Sequence, residues 1–252
     1  MRWIELDYGQ IEARVLGMAS KDTIFCEALR RDDDESDVHL IWAKKLAEAY
    51  PDILRIRGGR DGPLNIKAWR KLVKNEWTFP LFYGAGIKTV AGGTKIPYEI
   101  LEKIIPKFWK MFPGVKKWQI ATQKFYDSHG YVEALTGTRT YAPLKFNKAI
   151  NSGIQGTAAD ICTWAHTVMC KLAREREEEF LIPVNNVHDA LWWRADKSKV
   201  EYVIETGTKV MLSATKRFKH FMNDVPLTVE AEEGPTLYDM KSVGVYSSAT
   251  TH

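Results

Sequence analysis

The chain has 252 residues, of which 45% are hydrophobic, so it can form a packed core and is too apolar to remain disordered. This length predicts one large domain or two small ones. The formal net charge of +4 permits a nucleic-acid partner but does not argue for one, because many ordinary enzymes carry a similar charge.

Cysteine usage and apolar patterns exclude several other classes. Cys26, Cys162 and Cys170 show neither a CxxC pair nor a metal-ligand spacing with histidine, so we interpret them as small core residues in a reducing compartment. No apolar run approaches the roughly 20 residues of a membrane span. Met1 leads into a strand-like segment rather than a signal peptide. We therefore expect a soluble, cytoplasmic protein without a membrane partner.

The first half of the chain is predicted to begin with one strand and to continue as helices. The strand RWIELDYG is β-leaning, alternates along its length and ends at Asp7-Tyr8-Gly9. The segments that follow are a helix over 10–20, an exposed acidic loop over 30–37, a helix over 38–50, a loop over 51–63, an amphipathic helix over 64–83, a glycine-rich connection over 84–97 and two helices over 98–130, divided near Pro113-Gly114.

The second half combines hairpins with helices. Thr136-Gly137-Thr138 separates two strand-like segments, and His188-Asp189 lies at the turn of a second, apolar hairpin. The predicted order is a hairpin over 131–143, a helix over 146–180, a hairpin over 181–195, a helix over 198–223 and a last strand over 225–234. This order predicts an α+β sheet domain with a helical insertion from about 23 to 125.

Two carboxylates and two cations form the candidate chemistry. Asp7 closes a strand, and Asp189 interrupts the apolar hairpin LIPVNNVHDALWWRA, where an unpaired carboxylate would be costly to bury. Carboxylates at the ends of neighbouring strands can hold two divalent cations for phosphoryl transfer, and Mg²⁺ prefers such oxygens. Arg70 and Lys74 are four residues apart on one helix face, which suits a polyphosphate. Taken singly, each feature is more often a turn residue or a solvated surface.

Five segments together resemble a known family. DYGQIEAR (7–14) resembles the DYSQIELR signature of family A DNA polymerases, the group of bacterial DNA polymerase I and its phage relatives. The other segments follow in the family's order and are RKLVKNEWTFPLFYG (70–84), TGTRTYAP (136–143), INSGIQGTAAD (150–160) and NNVHDAL (185–191). The resemblance covers nearly the whole chain.

The resemblance implies a fold. The chain would form a polymerase palm, which is an antiparallel sheet with packed helices, and a helical fingers insertion. The palm would comprise residues 1–22 and 126–252, and the fingers residues 23–125. The thumb and exonuclease domains of the family would be absent from this chain.

The resemblance also implies the roles of the charged residues. Asp7 and Asp189 would bind two Mg²⁺ ions, with Mn²⁺ as an alternative, and the Tyr8 backbone carbonyl would be a further ligand. Metal would lower the pKa of the primer 3′-hydroxyl and neutralise charge on the triphosphate. Arg70 and Lys74 would bind that triphosphate, and Lys74 would be a candidate acid for the leaving pyrophosphate.

Other residues would contact the nucleotide or the DNA. His39 and Gln10 would assist at the triphosphate, and Glu12 would exclude a ribose 2′-hydroxyl. Phe79 would pack on the incoming sugar and Tyr83 at the template base. The residues along the minor groove of the primer–template would be Arg139, Asn151, Gln155 and His188. Minor-groove acceptors are common to all four base pairs, so such contacts check geometry without selecting sequence.

Plain structural alternatives stay open for four of these residues. Asn151 and Gln155 could simply tie the palm helix. His39 could be a helix-start residue without substrate contact, and Glu12 a surface residue.

One departure from the family pattern concerns helix geometry. Lys74 and Phe79 are five residues apart where the family has four, and one extra residue rotates them by about 100° on a regular helix. Pro80 cannot donate to the carbonyl of Glu76. We therefore predict a π-bulge or kink between Glu76 and Pro80. Phe79, rather than Thr78, is then the residue expected at the sugar.

A second departure concerns the metal ligands. Ala190 stands where the family usually has an auxiliary carboxylate directly after the aspartate of its VHDE motif. Asp7 and Asp189 survive as the minimal pair, so we expect one metal site to be weakened or rebuilt.

The start of the sequence motivates a hypothesis about partners. Asp7 is the seventh residue, so the thumb, the first part of the palm and any exonuclease would lie upstream. The first strand would then be a sheet edge that needs a partner. We hypothesise a naturally split, viral polymerase in the host-cell cytoplasm, with a second polypeptide carrying the thumb or exonuclease. An engineered or processed fragment is the competing explanation.

Three functions are compatible with these residues. The leading hypothesis is a DNA polymerase catalytic subunit or fragment that transfers nucleotides from dNTPs to a primer 3′-hydroxyl on a primer–template. The alternative is a non-catalytic, polymerase-derived DNA-binding scaffold, for which Ala190 and the missing thumb are the arguments. A single-subunit RNA polymerase is a weaker option, because Glu12 favours deoxynucleotides.

Overall fold

The chain folds into two compact units. In the computed structural model, the described residues are 1–31, 33, 35–54, 65–222 and 224–249. The first unit comprises Met1–Met18, Glu133–Arg139 and Gly153–His252, and the second comprises Ala19–Val132 and Thr140–Ser152. Most of the loop expected over 51–63 lies outside the described residues.

Helices and strands follow the predicted order closely. The N-terminal elements are β1 (Arg2–Tyr8), α1 (Ile11–Ser20), α2 (Thr23–Arg31), α3 (Val38–Ala49), α4 (Ile66–Val73), a π-helical segment (Lys74–Thr78), α5 (Phe79–Phe82), α6 (Ile87–Thr94), α7 (Tyr98–Met111) and α8 (Pro113–His129). The remaining elements are β2 (Tyr131–Glu133), β3 (Arg139–Tyr141), α9 (Phe146–Arg176), β4 (Asn185–Val187), β5 (Ala190–Ala195), α10 (Val200–Leu212), α11 (Ala214–Arg217), β6 (Thr228–Gly234) and β7 (Lys241–Ser247). Both predicted hairpins and the predicted α+β class are confirmed.

A five-stranded antiparallel sheet lies in the first unit. Its strand order is β4-β5-β1-β6-β7. Leu6 of β1 pairs with Leu191 of β5 on one side and with Ala231 of β6 on the other. The expectation that β1 forms an open edge is therefore wrong. Two strands that come about 180 residues or more later in the sequence cover both of its sides.

The two faces of this sheet differ in polarity. Leu6 is fully buried, whereas its neighbours Glu5 and Asp7 point to the opposite face, as the alternation of a strand requires. Helix α10 packs against the apolar face so closely that a Cβ at Gly207 would lie 2.5 Å from Leu6 Cδ1 and 3.4 Å from the Trp193 ring. Burying each large side chain there stabilises the fold by about 1.5–3 kcal/mol. The carboxylates therefore stand on a rigid support.

Aromatic side chains form the core of the second unit. Phe108 lies at the centre, with its ring centroid 5.0–5.6 Å from those of Trp42, Trp77, Phe82 and Phe112. All five side chains are at most 2% exposed. Large aromatic rings contribute most to such a core because each buries about 150–250 Å². Trp42 and Trp77 thus pack in the interior of this unit.

Three predicted elements differ from the structure. The connection over 84–97 contains α6, because Gly93 lets this helix approach the π-helical segment; a Cβ at Gly93 would overlap the Glu76 side chain. The helix predicted over 198–223 is divided at Ser213. The strand predicted to be the last is followed by β7, which pairs with it. In the described part of the chain, no helix combines the length and apolar character needed to cross a membrane.

Candidate active site

Asp7 and Asp189 come together at one end of the sheet. Asp7 is on β1, and Asp189 is at the turn between β4 and β5. The Tyr8 N–H donates to the Asp189 carbonyl at 3.2 Å, which fixes the turn beside β1. The structure therefore confirms that these two sequence-distant carboxylates share one location.

The environment of Asp7 is strongly anionic. Burial of the carboxyl group, followed by the negative charges of Asp189, Glu5 and Glu230, raises the pKa of Asp7 to about 7 from its ordinary 3.8. Among the described residues, its Oδ1 atom is buried and has no hydrogen-bond partner. Such an oxygen is costly to bury without a positively charged or hydrogen-bonding ligand.

Further carboxylates line the same face of the sheet. Glu230 of β6 lies opposite Asp7, and Glu232 lies opposite Glu5. Residues directly opposite in an antiparallel pair have their side chains on one face. Ala190 pairs with Asp7 on the other side and is 4% exposed. The face thus lacks a carboxylate at 190 but carries one at 230.

This pair of carboxylates suits a magnesium ion in chemistry and number. Mg²⁺ typically takes one or two protein carboxylates and completes its shell with water and substrate phosphates. Within the described residues, no group of three or more His, Cys, Asp or Glu side chains is arranged to hold a metal. The buried, unsatisfied Asp7 Oδ1 beside Asp189 is the atom that fits such an ion best.

Tyr8 can contribute only its backbone. Its side chain is 1% exposed, and its hydroxyl donates to the Met211 carbonyl at 2.7 Å. Burial raises the pKa of the Tyr8 phenol well above its usual range. The side chain therefore serves as a structural anchor, and the expected role of the backbone carbonyl stays a prediction.

Two residues next to the carboxylates adopt left-handed backbone conformations. Gln10 has φ 52° and His188 has φ 58°. Non-glycine residues rarely adopt this region, and such conformations cluster at functional sites. His188 is exposed at the hairpin turn. Glu12 is half-buried in the first turn of α1.

Asp37 and Arg70 organise a second charged cluster, which belongs to the second unit. Asp37 caps α3, because its Oδ1 accepts from the N–H groups of His39 at 2.8 Å and Leu40 at 3.0 Å. Its Oδ2 lies 2.5 Å from both Nε and Nη2 of Arg70 on α4. The structure thus gives Arg70 a carboxylate partner that the sequence analysis did not foresee.

Phe79 connects the other predicted nucleotide-binding residues. The His39 ring is 5.2 Å from the Phe79 ring in an edge-on arrangement, Lys74 Nζ lies 5.3 Å from the Phe79 centroid, and Tyr83 stacks on Phe79 at 5.6 Å. Burial, opposed by Asp37 and reinforced by the charges of Arg70 and Lys74, lowers the pKa of His39 to about 4. His39 is therefore neutral at pH 7.

A π-helical segment produces this arrangement. It spans Lys74–Thr78, and the Phe79 N–H donates to the Lys74 carbonyl five residues earlier. The wider turn absorbs the extra residue, so Lys74 and Phe79 lie on one face. The predicted irregularity is confirmed, although it begins two residues before Glu76. Thr78 is fully buried, whereas Phe79 is partly accessible.

Gly84 ends this helical stretch. Its φ of +80° and its close approach to Phe146, whose ring would lie 2.7 Å from an added Cβ, both require glycine.

The predicted DNA-contacting residues lie on β3, on α9 and at the turn between β4 and β5. Arg139 is exposed and pairs with Glu133 at 2.7 Å. Gln155 is exposed on α9, and Asn151 on the same helix has a buried Oδ1 that finds no partner among the described residues. His188 is exposed at the turn between β4 and β5.

Sequence reasoning missed two supporting residues of the first unit. Arg14 is 1% exposed, and its guanidinium donates to the carbonyls of Gly9 at 2.8 Å and Pro226 at 2.7 Å. Asp160 accepts from the hydroxyls of Thr136 and Thr138, which fastens the Thr136-Gly137-Thr138 turn to α9. A charged residue in an apolar helical pattern was the available signal in both cases.

Comparison with known protein families assigns this chain to a class. The family model described as "DNA polymerase family A" matches residues 1–239. The chain therefore belongs to DNA polymerase family A.

Individual relatives agree with this assignment. The chain is 32% identical over 248 residues to DNA polymerase I of Geobacillus stearothermophilus, covering 93% of this chain and 26% of the relative. It is 28% identical over 249 residues to DNA polymerase I of Deinococcus radiodurans, covering 94% of this chain and 24% of the relative. The chain thus spans about a quarter of the length of these relatives.

A solved structure shows the same fold. The polymerase domain of Pol1 from M. smegmatis, in complex with a DNA primer-template and dNTP, superposes with a TM-score of 0.73 at 22% identity. The match covers 94% of this chain and 40% of that chain.

Proposed function

We propose that this chain is the catalytic part of a DNA-templated DNA polymerase, which joins a dNTP to a primer 3′-hydroxyl. The observation that carries the proposal is the half-buried carboxylate pair of Asp7 and Asp189. Burial, followed by the charge of Asp189, raises the pKa of Asp7, and the buried Asp7 Oδ1 has no hydrogen-bond partner among the described residues. Family membership supports the same reaction.

Asp7 and Asp189, with the Tyr8 backbone carbonyl, would hold two Mg²⁺ ions, for which Mn²⁺ is an alternative. When bound, these ions lower the pKa of a 3′-hydroxyl and neutralise the charge that develops on the triphosphate. Helix α10 and the neighbouring strands hold the two carboxylates in place. A rigid support favours such chemistry, because displacements of about 1 Å cost large factors in rate.

The second unit would bind the nucleotide. Arg70 and Lys74 would hold the triphosphate, with neutral His39 as a hydrogen-bonding neighbour. Lys74 is also our candidate for the proton donor to the leaving pyrophosphate. Phe79 would pack on the sugar and Tyr83 at the template base.

Residues of the first unit would complete nucleotide selection. Gln10 would assist at the triphosphate, and Glu12 would exclude a ribose 2′-hydroxyl. The residues proposed to follow the minor groove are Arg139, Asn151, Gln155 and His188. The M. smegmatis relative was solved with primer-template and dNTP, which supports these ligand classes.

Domain roles and partners are part of the proposal. We assign palm to residues 1–22 and 126–252 and fingers to 23–125. A second polypeptide with a thumb or exonuclease, a viral origin and the host-cell cytoplasm stay proposals. The open edge that motivated the partner does not exist on β1. Size-exclusion chromatography with and without a candidate partner tests the proposal of a second polypeptide. A chain that is monomeric and fully active alone would refute that proposal.

Primer extension tests the catalytic proposal. We expect dNTPs to be incorporated and NTPs to be rejected in the presence of Mg²⁺. Asp189→Asn should lower incorporation by about 10³-fold or more, because it removes a metal-binding charge. Asp196→Asn is the matched control, since Asp196 is exposed in the same unit. Extension that survives Asp189→Asn would contradict the two-metal assignment.

A second candidate is a DNA-binding scaffold without catalysis. Ala190 favours it, and so does the finding that, among the described residues, no group of three or more His, Cys, Asp or Glu side chains is arranged to hold a metal. A scaffold would bind primer–template in a mobility-shift assay but would extend no primer with either Mg²⁺ or Mn²⁺.

A further inference from the structure

Asp37 has two tasks in the second unit. One oxygen, Oδ1, accepts from the backbone N–H groups at the start of α3, and the other, Oδ2, pairs with Arg70. One carboxylate therefore joins the beginning of α3 to a side chain 33 residues later on α4. His39, whose N–H is capped, follows Asp37 by two residues.

The pairing leaves Arg70 able to bind a ligand. A guanidinium has five N–H donors in a rigid fork. Asp37 engages the Nε and Nη2 edge at 2.5 Å, so the N–H groups of Nη1 point elsewhere. The Arg70 side chain is 34% exposed, whereas that of Asp37 is only 14% exposed. The carboxylate holds the guanidinium from the protein side.

A held guanidinium binds a polyanion more readily than a mobile one. Arginine has many rotamers, and fixing them costs free energy when a ligand binds. The contact with Asp37 already fixes the Arg70 rotamer in the folded protein, so the ligand does not have to fix it. Because the paired Arg70 side chain remains partly exposed, an anionic ligand can still reach it.

We propose that Asp37 is a positioning residue, which orients Arg70 toward the polyphosphate of a nucleoside triphosphate and remains paired when that ligand binds. The inference rests on the proposed function, in which Arg70 binds the triphosphate. It assigns to Asp37 a role in nucleotide affinity that is separate from its role as a helix cap.

Two substitutions separate these roles. Asp37→Asn keeps the cap, because asparagine and aspartate are equally good N-caps, but its neutral amide no longer attracts Arg70. Asp37→Glu keeps the charge that Arg70 needs, but its longer side chain caps α3 less well. The first variant should lose nucleotide affinity and the second should lose stability.

Binding and kinetics give the readouts. The full 252-residue chain is titrated with inorganic tripolyphosphate and with dATP, and dATP incorporation on a primed template is measured. For Asp37→Asn we expect about fivefold to tenfold weaker binding of both ligands and a similar rise in KM, with a smaller change in kcat and an unchanged melting temperature. For Asp37→Glu we expect a lower melting temperature with binding closer to wild type.

Two controls sharpen the result. Asn65 caps α4, the helix of Arg70, through a bond from the Ala68 N–H at 2.8 Å. Asn65→Ala should lower stability without weakening tripolyphosphate binding. In an Arg70→Ala background, Asp37→Asn should have no further effect on binding, because residues that act together are not additive.

Four results would overturn the inference. Unchanged binding in Asp37→Asn would make Asp37 only a cap, and tighter binding would make it a competitor of the phosphates. If Asp37→Asn weakened binding equally in the Arg70→Ala background, or if Asn65→Ala weakened binding equally, Asp37 would not act on the ligand through Arg70. Failure of the wild-type chain to extend primers, with Arg70-dependent tripolyphosphate binding intact, would instead reject only the proposed polymerase function.

Discussion

In the first unit, Asp7 and Asp189 are like charges held side by side, whereas in the second unit Asp37 and Arg70 are opposite charges 2.5 Å apart. The first arrangement leaves a buried oxygen of Asp7 without a partner among the described residues. In the second arrangement, the positive charge of Arg70 compensates the negative charge of Asp37. We therefore expect a bound cation to stabilise the carboxylate pair and an anion to bind at Arg70.

The same contrast appears in the titrating groups. Burial and neighbouring carboxylates raise the pKa of Asp7, whereas burial and neighbouring cations lower the pKa of His39. Both groups favour their neutral forms: Asp7 keeps its proton up to a higher pH, whereas His39 stays deprotonated down to a lower pH. The two units should therefore respond oppositely to pH.

Asp7→Asn should have the largest effect on stability. The folded protein keeps a proton on Asp7 up to about pH 7, while the unfolded chain releases it near 3.8. The contribution of this group to the free energy of unfolding is thus fully present below about pH 4 and is lost as the pH rises through 7. We expect thermal melting with a chelator present to show this loss in the wild type and not in Asp7→Asn.

Magnesium provides the counterpart of this experiment. At pH 8, added Mg²⁺ should raise the melting temperature of the wild type by several degrees, because it binds the folded carboxylates. Asp7→Asn should respond much less, and Asp196→Asn should respond like the wild type. Equal stabilisation of all three proteins would remove the basis for a metal at Asp7.

His39→Gln should produce a smaller effect of opposite sign. The folded pKa of His39 is about 4, below the ordinary 6.5, so its contribution to stability is present above about pH 6.5 and is lost as the pH falls through 4. The variant should lose less stability than the wild type between pH 6.5 and 4. The exposed His220 offers the control His220→Gln. An identical acid response of His39→Gln and wild type would contradict the buried neutral state.

Glu230→Gln should produce the smallest change. Glu230 is one of several charges that raise the pKa of Asp7, after burial and Asp189. Its removal should shift the Asp7-dependent melting profile to lower pH without abolishing it. Glu205→Gln, on the outer side of α10, is the matched control. A profile unchanged by Glu230→Gln would show that the Glu230 charge does not act on Asp7.

Local chemistry predicted much of the chain. The hairpin turn at His188-Asp189 and the irregular helix before Pro80 both follow from residues within a few positions of each other. Pro80 lacks an N–H, and the spacing of Lys74 and Phe79 indicated a π-bulge or kink that keeps both on one face. Such features are predictable because the interactions that decide them are local.

Other features depend on distant partners. The central position of β1 depends on β5 and β6, and α6 in a glycine-rich stretch depends on its contact with Glu76. The pairing of Asp37 with Arg70 joins two helices. None of these contacts leaves a periodic signal in the sequence.

The sequence by itself determined the family, most of the elements and the candidate residues, because motif spacing and hydrophobic alternation are encoded along the chain. Only the tertiary structure decided which charges meet. Asp7 and Asp189 are 182 positions apart, and folding brings them together against their repulsion because the apolar face of the sheet and α10 supply the compensating free energy.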